Sequence, residues 1–298
     1  MSSVLYRCGG VIIGSRTILT AAHCLLHRTT SVPLPVSSIQ VVVGAVNSGA
    51  PATNVNDPTG CAQTFTAESL IIHPAYNHEL NDNDIAIITL TTAINVDQKP
   101  CACTLCFSAR QPTVGEQCAV TGYGIEMALL NFTVPRRNPV PLKWVAQTIV
   151  NQGATNKCPA FPNSAGAITN LTMKFCTHGP DDQGPCLGDD GSALVCWDPA
   201  NNGYYLAGLI AIGPELCAIG LSDWSAQSTK VALYLQWIAD NSVSGDVNLP
   251  ASSIVSTPTP APSETTNSPI TAPGTTEACG IPGSGPIDAF GIVSQMEC

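Results

Sequence analysis

Short apolar runs separated by turn residues fill roughly the first 240 positions of the chain, and they limit the folds that it can adopt. Runs such as Ile85–Leu90 and Leu206–Ile212 are of strand length, and Gly, Pro and Asn punctuate the pattern of such runs. Regularly spaced runs of this length are typical of all-β sandwiches and barrels. Only Val231–Asp240 has apolar residues at helical spacing, so we predict an all-β fold with one C-terminal helix.

Charge and hydropathy exclude several classes of partner. The 298-residue chain has 11 Lys and Arg against 21 Asp and Glu, a formal net charge of −10, and no basic run. Proteins that bind nucleic acids or anionic membranes need concentrated positive charge. The longest apolar stretches are also shorter than the roughly 18 residues of a membrane-spanning helix. We therefore predict no nucleic-acid partner and no membrane span.

Fourteen cysteines indicate an oxidising compartment, because disulfides are rare in the cytosol. Zinc binding is the competing interpretation, but the tightest cluster, Cys101-Ala-Cys103-Thr-Leu-Cys106, lacks a second CxxC or HxxxH pair. The triplets that begin at Asn131 and Asn170 are N-glycosylation acceptors. We expect an extracellular, disulfide-bonded protein with no metal and no cofactor, although the first residues show no apolar segment of signal-peptide length.

The composition changes near the C-terminus. Between Ala251 and Ala278, 17 of 28 residues are Ser, Thr or Pro, a composition that buries too little apolar area to offset chain entropy. We predict a globular domain over residues 1–245 and a disordered, mucin-like linker over 246–278. The remaining piece, 279–298, is too short for a core of its own, and a disulfide between Cys279 and Cys298 would close it.

Two segments of the first half resemble the trypsin-like (chymotrypsin-fold) serine proteases. The run CGGVIIGSRTILTAAHC at 8–24 resembles the strand and loop that carry the catalytic His of that family, here His23. The run NDIAII at 83–88 resembles the segment that delivers the catalytic Asp, here Asp84. Further matching segments follow in the family's order over about 240 residues, at 118–124, 175–176, 186–196 and 234–238.

This resemblance implies a fold and a set of disulfides. It implies two six-stranded antiparallel β-barrels with a cleft between them, followed by the C-terminal helix. It implies His23 and Asp84 on the first lobe and the nucleophile loop on the second. The implied disulfides are Cys8–Cys24, Cys118–Cys196, Cys158–Cys176 and Cys186–Cys217, which leaves Cys61, Cys101, Cys103 and Cys106 without an implied partner.

The nucleophile loop departs from the family. Where the family has Gly-Asp-Ser-Gly-Gly, this chain reads Gly188-Asp-Asp-Gly-Ser192, so Asp190 takes the position of the nucleophilic Ser. Amide hydrolysis needs a hydroxyl whose proton the imidazole removes and N–H donors for the oxyanion. Asp190 is already deprotonated and is a poor nucleophile toward an amide. The oxyanion donors implied here are the N–H groups of Gly188 and Asp190.

Neighbouring positions carry further expectations. Ser192 lies two residues past the turn, where the misplacement of a reacting atom costs a large factor in rate. The family's Ser-Trp-Gly, which supports the catalytic Asp and pairs with substrate, is here Ala211-Ile-Gly213. Gly184 takes the base of the specificity pocket, which favours apolar side chains. The implied substrate-binding residues are therefore Gly184, Ala211 and Gly213.

The charge of Asp190 suggests a role for it beside His23. At about 3 Å it would attract an imidazolium by roughly 5 kcal/mol at an effective dielectric constant of 20, before desolvation. One hypothesis places His23 between the carboxylates of Asp84 and Asp190, with the cationic imidazole favoured. The other turns Asp190 toward the N–H groups of its own loop or toward solvent.

Three functions follow from these residues. The first is a secreted, catalytically inactive protease homologue that binds a protein or peptide, such as an extracellular protease or its substrate. The second is an active serine endopeptidase that uses Ser192 or carries a sequencing error at Asp190. The third is an extracellular structural or matrix protein presented on the Ser/Thr/Pro linker.

Overall fold

The fold consists of two lobes of antiparallel strands and a C-terminal helix. The computed structural model describes residues 7–27, 30–45, 61–95, 102–124, 142–150, 172–179, 183–212 and 226–250. No helix in this part of the chain is a candidate membrane span, since the α-helix found there has only 7 residues. The predicted linker from 251 and the segment 279–298 lie outside the described residues.

The first lobe is a curled half-barrel of five antiparallel strands in the order β1-β2-β5-β4-β3. Every residue of the central strand β5 is buried, whereas β4 alternates buried and exposed residues in its first half. This alternation is typical of a strand with one face on the core. The strands are β1 (Val11–Ile12), β2 (Thr17–Thr20), β3 (Gln40–Val43), β4 (Gln63–Ile72) and β5 (Ala86–Leu90).

The second lobe is a closed barrel of six strands. Its sheet runs β10-β7-β8-β9-β12-β11, and pairing of β10 with β11 closes it, while the short β6 adds to β11 in parallel. The mostly β fold with a six-stranded barrel is therefore confirmed. These strands are β6 (Cys106–Phe107), β7 (Gln117–Gly122), β8 (Lys143–Val150), β9 (Lys174–His178), β10 (Ala193–Asp198), β11 (Gly203–Ile212) and β12 (Ala226–Lys230).

The predicted C-terminal helix is confirmed, with a tighter first turn. Val231–Tyr234 forms a 3-10 turn, and the α-helix α1 spans Leu235–Asn241. The buried cluster at this point includes Leu19 and Ile87 of the first lobe and Leu209 of the second. It also contains the four residues at helical spacing in the predicted helix, Val231, Tyr234, Leu235 and Ile238. The helix therefore packs where the two lobes meet.

A strap formed by residues 242–250 continues the packed structure beyond the helix. The carboxylate of Asp246 accepts hydrogen bonds from the N–H and hydroxyl of Ser15, at 2.7 and 2.6 Å, and from the N–H of Arg16, at 2.9 Å. It also accepts one from the hydroxyl of Thr17 at 2.7 Å. Val247 and Leu249 of the strap pack against the core. Packed structure thus extends past residue 245, into the first residues of the predicted linker.

Disulfides staple both lobes. Cys8 is bonded to Cys24 beside β2, and Cys118 to Cys196 across β7 and β10, two of the pairs that the resemblance implies. Cys61, Cys176 and Cys186 are also disulfide-bonded. The implied partners Cys158 and Cys217 lie outside the described residues.

A buried hydroxyl in the closed barrel of the second lobe provides a test of the packing there. Ser228 on β12 is fully buried opposite Phe175 and Ile210, and in the described part of the chain its hydroxyl has no hydrogen-bond partner. Because an unsatisfied buried polar group costs about 1–3 kcal/mol, Ser228→Ala should raise the free energy of unfolding by about 1 kcal/mol in urea titrations. The hydroxyl of the neighbouring Thr229 donates a hydrogen bond, so Thr229→Val should lower the free energy of unfolding. A loss of stability in Ser228→Ala would contradict this.

Candidate functional site

The imidazole of His23 is fixed by a fully buried carboxylate. His23 lies in the 3-10 turn Ala22–Leu25 that follows β2, and Asp84 lies just before β5. The His23 N–H donates to Asp84 Oδ1 at 2.9 Å, and His23 Nδ1 lies 2.7 Å from Asp84 Oδ2. Since β2 and β5 are paired neighbours, the sheet itself brings the two residues together. Nε2 is thereby left to face the second lobe.

The second lobe holds the loop that carries Asp84. Thr229 Oγ1 donates to the carbonyl of Asp84 at 3.1 Å, and Tyr234 Oη bonds Asn83 Oδ1 at 3.1 Å. Ala211, which replaces the family's supporting Ser, is buried and supplies no hydroxyl. The sequence shows that the family's supporting Ser is replaced by Ala211. It does not show the contacts from Thr229 and Tyr234, because these residues lie about 150 positions from Asp84 along the chain.

A buried lysine is a third contact to this loop. Lys174 on β9 has a side chain only 1% exposed, and its Nζ donates to the carbonyl of Leu80 at 2.6 Å and lies 3.1 Å from Asp82 Oδ1. Buried lysines are rare unless they are paired. The signal available in the sequence was a lysine next to the buried Phe175-Cys176, within a run that otherwise indicates a core strand. The pair joins the two lobes beside the candidate site.

The nucleophile loop is a tight turn pinned to the first lobe. Gly188 and Gly191 have positive φ values of 99° and 79°, a conformation that favours glycine. Gly9 N–H donates to the carbonyl of Asp190 at 2.7 Å, and Gly191 N–H donates to the carbonyl of Ile210 at 2.7 Å. A Cβ at Gly191 would lie 2.4 Å from Thr20 Oγ1. The turn therefore fixes Asp190 against the strand that leads to His23.

The side chain of Asp190 faces the imidazole. Asp190 Oδ1 lies 3.9 Å from His23 Nε2, and the Asp190 side chain is 10% exposed. The ring thus has one carboxylate on each side, as the first of the two hypotheses proposes. At this distance the attraction to an imidazolium is about 4 kcal/mol at an effective dielectric constant of 20, before desolvation.

Asp189 is a second buried acid in the same turn. Burial raises its pKa to about 6, and the negative charge of Asp190 adds to the rise, against hydrogen bonds from the N–H groups of Cys186 and Gly124 that lower it. Within the described ranges, no Lys or Arg pairs with Asp189. Because its folded-state pKa lies above the ordinary value, the stability that it contributes is present in acid and is lost as the pH rises through about 6.

The other predicted site residues are placed as follows. Ser192 is 5% exposed, and its hydroxyl packs against Gly9 so closely that a Cβ there would lie 2.0 Å from Ser192 Oγ. Gly184 lies next to the buried side chain of Gln147: a Cβ at Gly184 would lie 3.9 Å from Gln147 Nε2. Gly213 is outside the described residues. The oxyanion and substrate roles of Gly188, Gly184 and Ala211 stay predictions.

Two groups of metal-ligand type occur in the described part of the chain. One consists of Cys8, His23 and Cys24, and the other of Glu116, Cys118 and Cys196. Each group contains the two cysteines of a disulfide, whose sulfurs are not thiolate ligands. Neither group fits a metal ion.

The amino-acid sequence is similar to those of several known proteins. Protein masquerade of Drosophila melanogaster is 30% identical over 241 residues, which is 78% of this chain and 20% of that protein. Melanization protease 1 of the same species is 29% identical over 253 residues, 79% of this chain and 58% of that protein. Human tissue-type plasminogen activator is 28% identical over 253 residues, 79% and 39% of the two chains. The chain therefore spans less than two thirds of these relatives.

A family-level match covers most of the chain. Residues 1–238 match the trypsin family, and this range contains His23, Asp84 and the turn that carries Asp190. The match ends within α1, shortly before the strap. The closed six-stranded barrel, the His23–Asp84 contact and this match lead to one conclusion, that the chain belongs to the trypsin family of serine proteases.

Proposed function

We propose that this chain is a secreted, catalytically inactive member of the trypsin family that acts by binding a protein or peptide ligand. The observation that carries the proposal is the carboxylate of Asp190, 3.9 Å from His23 Nε2, where peptide hydrolysis requires a hydroxyl. The ligand class that this scaffold favours is an extracellular protease or a substrate of one. The disulfides fit an extracellular protein.

The chemistry of Asp190 argues against peptide hydrolysis. A serine nucleophile gives its proton to the imidazole as it attacks, and the imidazole returns the proton to the leaving amine. An ionised carboxylate has no proton to give, and its charge favours an imidazolium that cannot accept one. The remaining hydroxyl in the turn, that of Ser192, packs against Gly9 and does not stand at the tip of the turn.

A fluorophosphonate probe, which labels activated serines, tests the proposal directly. The wild-type chain should show no stoichiometric label, whereas Asp190→Ser should become labelled where the rest of the site is competent. Because loss of the nucleophile costs on the order of 10⁶-fold in turnover, the wild type should also show no measurable peptidase activity. Asp190→Ser combined with His23→Ala is the matched control and should stay unlabelled. Labelling of the wild type that Ser192→Ala abolishes would overturn the proposal.

A binding experiment separates the ligand-binding role from a matrix role. Surface plasmon resonance with extracellular trypsin-family proteases and their protein substrates should show binding without cleavage of either partner. A bulky substitution beside the site, Leu80→Arg, should weaken this binding, because Leu80 is 37% exposed on the loop that leads to Asp84. Val114→Arg, at a more exposed position (61%) on a turn of the second lobe, is the control. Binding that is indifferent to both substitutions would favour the matrix role.

A further inference from the structure

We propose that His73 is a positioning residue for the loop that carries Asp84, and that it fills this role only while its imidazole is neutral. The loop consists of residues 74–84, between β4 and β5. The inference goes beyond the proposed function. It applies to a binding protein and to a protease alike, since it concerns how Asp84 is held and not which group attacks a peptide bond.

Four contacts connect His73 to the residue before Asp84 and back again. Ala75 N–H donates to His73 Nδ1 at 3.2 Å, and Asn83 Nδ2 donates to the carbonyl of Ala75 at 2.8 Å. Tyr234 Oη donates to Asn83 Oδ1 at 3.1 Å, and the Tyr234 ring lies nearly perpendicular to the His73 ring at a centroid distance of 5.3 Å. The imidazole therefore joins the loop to the 3-10 turn that begins the C-terminal helix.

Asn83 is the residue through which these contacts reach Asp84. Its φ is 55°, in the left-handed region that few residues other than glycine adopt. Both polar ends of its side chain support this conformation, Nδ2 through Ala75 and Oδ1 through Tyr234. Since Asp84 is the next residue, the backbone of Asn83 sets the direction in which the carboxylate approaches His23. A change in the support of Asn83 is therefore passed to Asp84.

The contact with Ala75 requires a neutral imidazole. Nδ1 accepts an N–H only when it carries no proton, whereas both ring nitrogens of an imidazolium are donors. Burial lowers the pKa of His73, so the folded state also favours the neutral form. A second proton turns the hydrogen bond into a repulsion between two donors, and the turn 73–76 is then closed by the bond from Tyr76 N–H to the His73 carbonyl. We therefore expect the loop to loosen in acid without unfolding.

The titratable groups around His73 do not compensate a charge on its imidazole. They lie on the loop and on the C-terminal helix: Tyr76, His78, Glu79, Asp82, Asp84, Tyr234 and Asp240. In the described part of the chain none of them forms an ion pair with His73, and the two aspartates of the loop are paired with Lys174 and His23. Burial and the charges of these aspartates raise the pKa of Tyr234 to about 12, so its hydroxyl stays neutral.

Two substitutions separate the hydrogen bond from the packing of the ring. His73→Asn keeps an acceptor for the N–H two residues further on, as in an Asx turn, but does not titrate. His73→Phe keeps a ring against Tyr234 and Trp237 but has no acceptor. If His73 acted by packing alone, Phe would be the better replacement. We expect Asn to be the better one.

The measurement is an NMR titration of the full chain from about pH 8 to about pH 5, which brackets the ordinary histidine range. In the wild type, the Ala75 amide and the Asn83 side-chain amide should shift in one step, with a midpoint below the ordinary histidine value. Exchange of the Ala75 amide, corrected for intrinsic rates, should accelerate roughly tenfold across this step, the equivalent of about one hydrogen bond. His73→Asn should keep the neutral-state signals throughout.

The position of Asp84 is compared at neutral pH, because His23 also titrates beside it. The ring signals of His23 should be unchanged in His73→Asn. In His73→Phe they should be shifted, and the Asn83 side-chain amide should already have the position that it takes in the wild type in acid. His78→Gln, at an exposed position on the same loop, is the matched control and should keep the wild-type step.

Near-UV circular dichroism checks that each variant is folded. A step at Asn83 that persists in His73→Asn, or wild-type signals of Asn83 and His23 in His73→Phe at neutral pH, would overturn the role of His73. These readouts involve neither a labelled serine nor a cleaved peptide. Their failure is therefore distinguishable from a failure of the proposed function, which the fluorophosphonate probe tests.

Discussion

Replacing Lys174 with Met should lower the free energy of unfolding by about 3–5 kcal/mol, because it leaves the carboxylate of Asp82 without its cation at the lobe boundary. The Lys174 side chain is 1% exposed, and its Nζ also donates to the carbonyl of Leu80. Urea titration monitored by tryptophan fluorescence measures the change. Since Asp84 follows directly on this loop, the ring signals of His23 should broaden or shift as well.

A double substitution separates the ion pair from the packing around it. Replacing a buried pair with apolar residues is often neutral or stabilising, whereas breaking it is costly. Lys174→Met with Asp82→Leu should therefore recover most of the stability that the single Lys174→Met loses. Lys143→Met, at an exposed position on β8, is the matched control and should change stability by less than about 0.5 kcal/mol. A single Lys174→Met as stable as the control would refute the account.

Replacing Asp246 with Ala should cost about 2–3 kcal/mol, because it removes the acceptor of four hydrogen bonds from Ser15, Arg16 and Thr17. Burial alone would raise the pKa of Asp246, but the hydrogen bonds from Ser15 and Thr17 outweigh it and lower the pKa. Its contribution to stability is therefore complete above the ordinary carboxyl pKa and is lost as the pH falls through the lowered value.

The comparison of Asp246→Ala with the wild type at several pH values checks both parts of this prediction. The difference in unfolding free energy should be full at pH 7 and should shrink in acid. Asp240→Ala provides the control, since Asp240 is exposed and accepts one hydrogen bond, from Gln236. It should cost less than about 0.5 kcal/mol. A difference between Asp246→Ala and the wild type that grows in acid would contradict the sign.

The parts of the structure that the sequence predicted are those encoded by local pattern. The apolar face of the C-terminal helix follows from periodicity within eight residues, from Val231 to Ile238. The placement of His23 next to Asp84 is what the resemblance of two short runs to trypsin-like proteases implies, and the pairing of β2 with β5 brings it about. The position of Asp190 on the turn is implied by the resemblance of 188–192 to the family's nucleophile loop, and Gly188 and Gly191 adopt the positive φ values of that turn.

The parts that the sequence did not predict depend on contacts between distant residues. The partner of Lys174 lies 92 positions earlier in the chain, so the run around this lysine can indicate a buried strand but cannot identify Asp82. Asp246 follows a helix and precedes a Ser/Thr/Pro-rich stretch, so composition assigns it to a linker. Its role becomes visible only when the turn at Ser15, some 230 positions earlier, is placed beside it.

The strap has a mechanical consequence. Asp246 holds the turn that begins β2, whereas His23 follows the other end of that strand. Tension that arrives along the chain from beyond residue 250 would load the apolar contacts of Leu249 and Val247, and then Asp246 with its four hydrogen bonds, before it was passed along the chain to α1. A molecule tethered by its C-terminal extension would thus yield first at the end of the strand remote from the imidazole, and the arrangement of His23, Asp84 and Asp190 would survive a pull that detaches the strap.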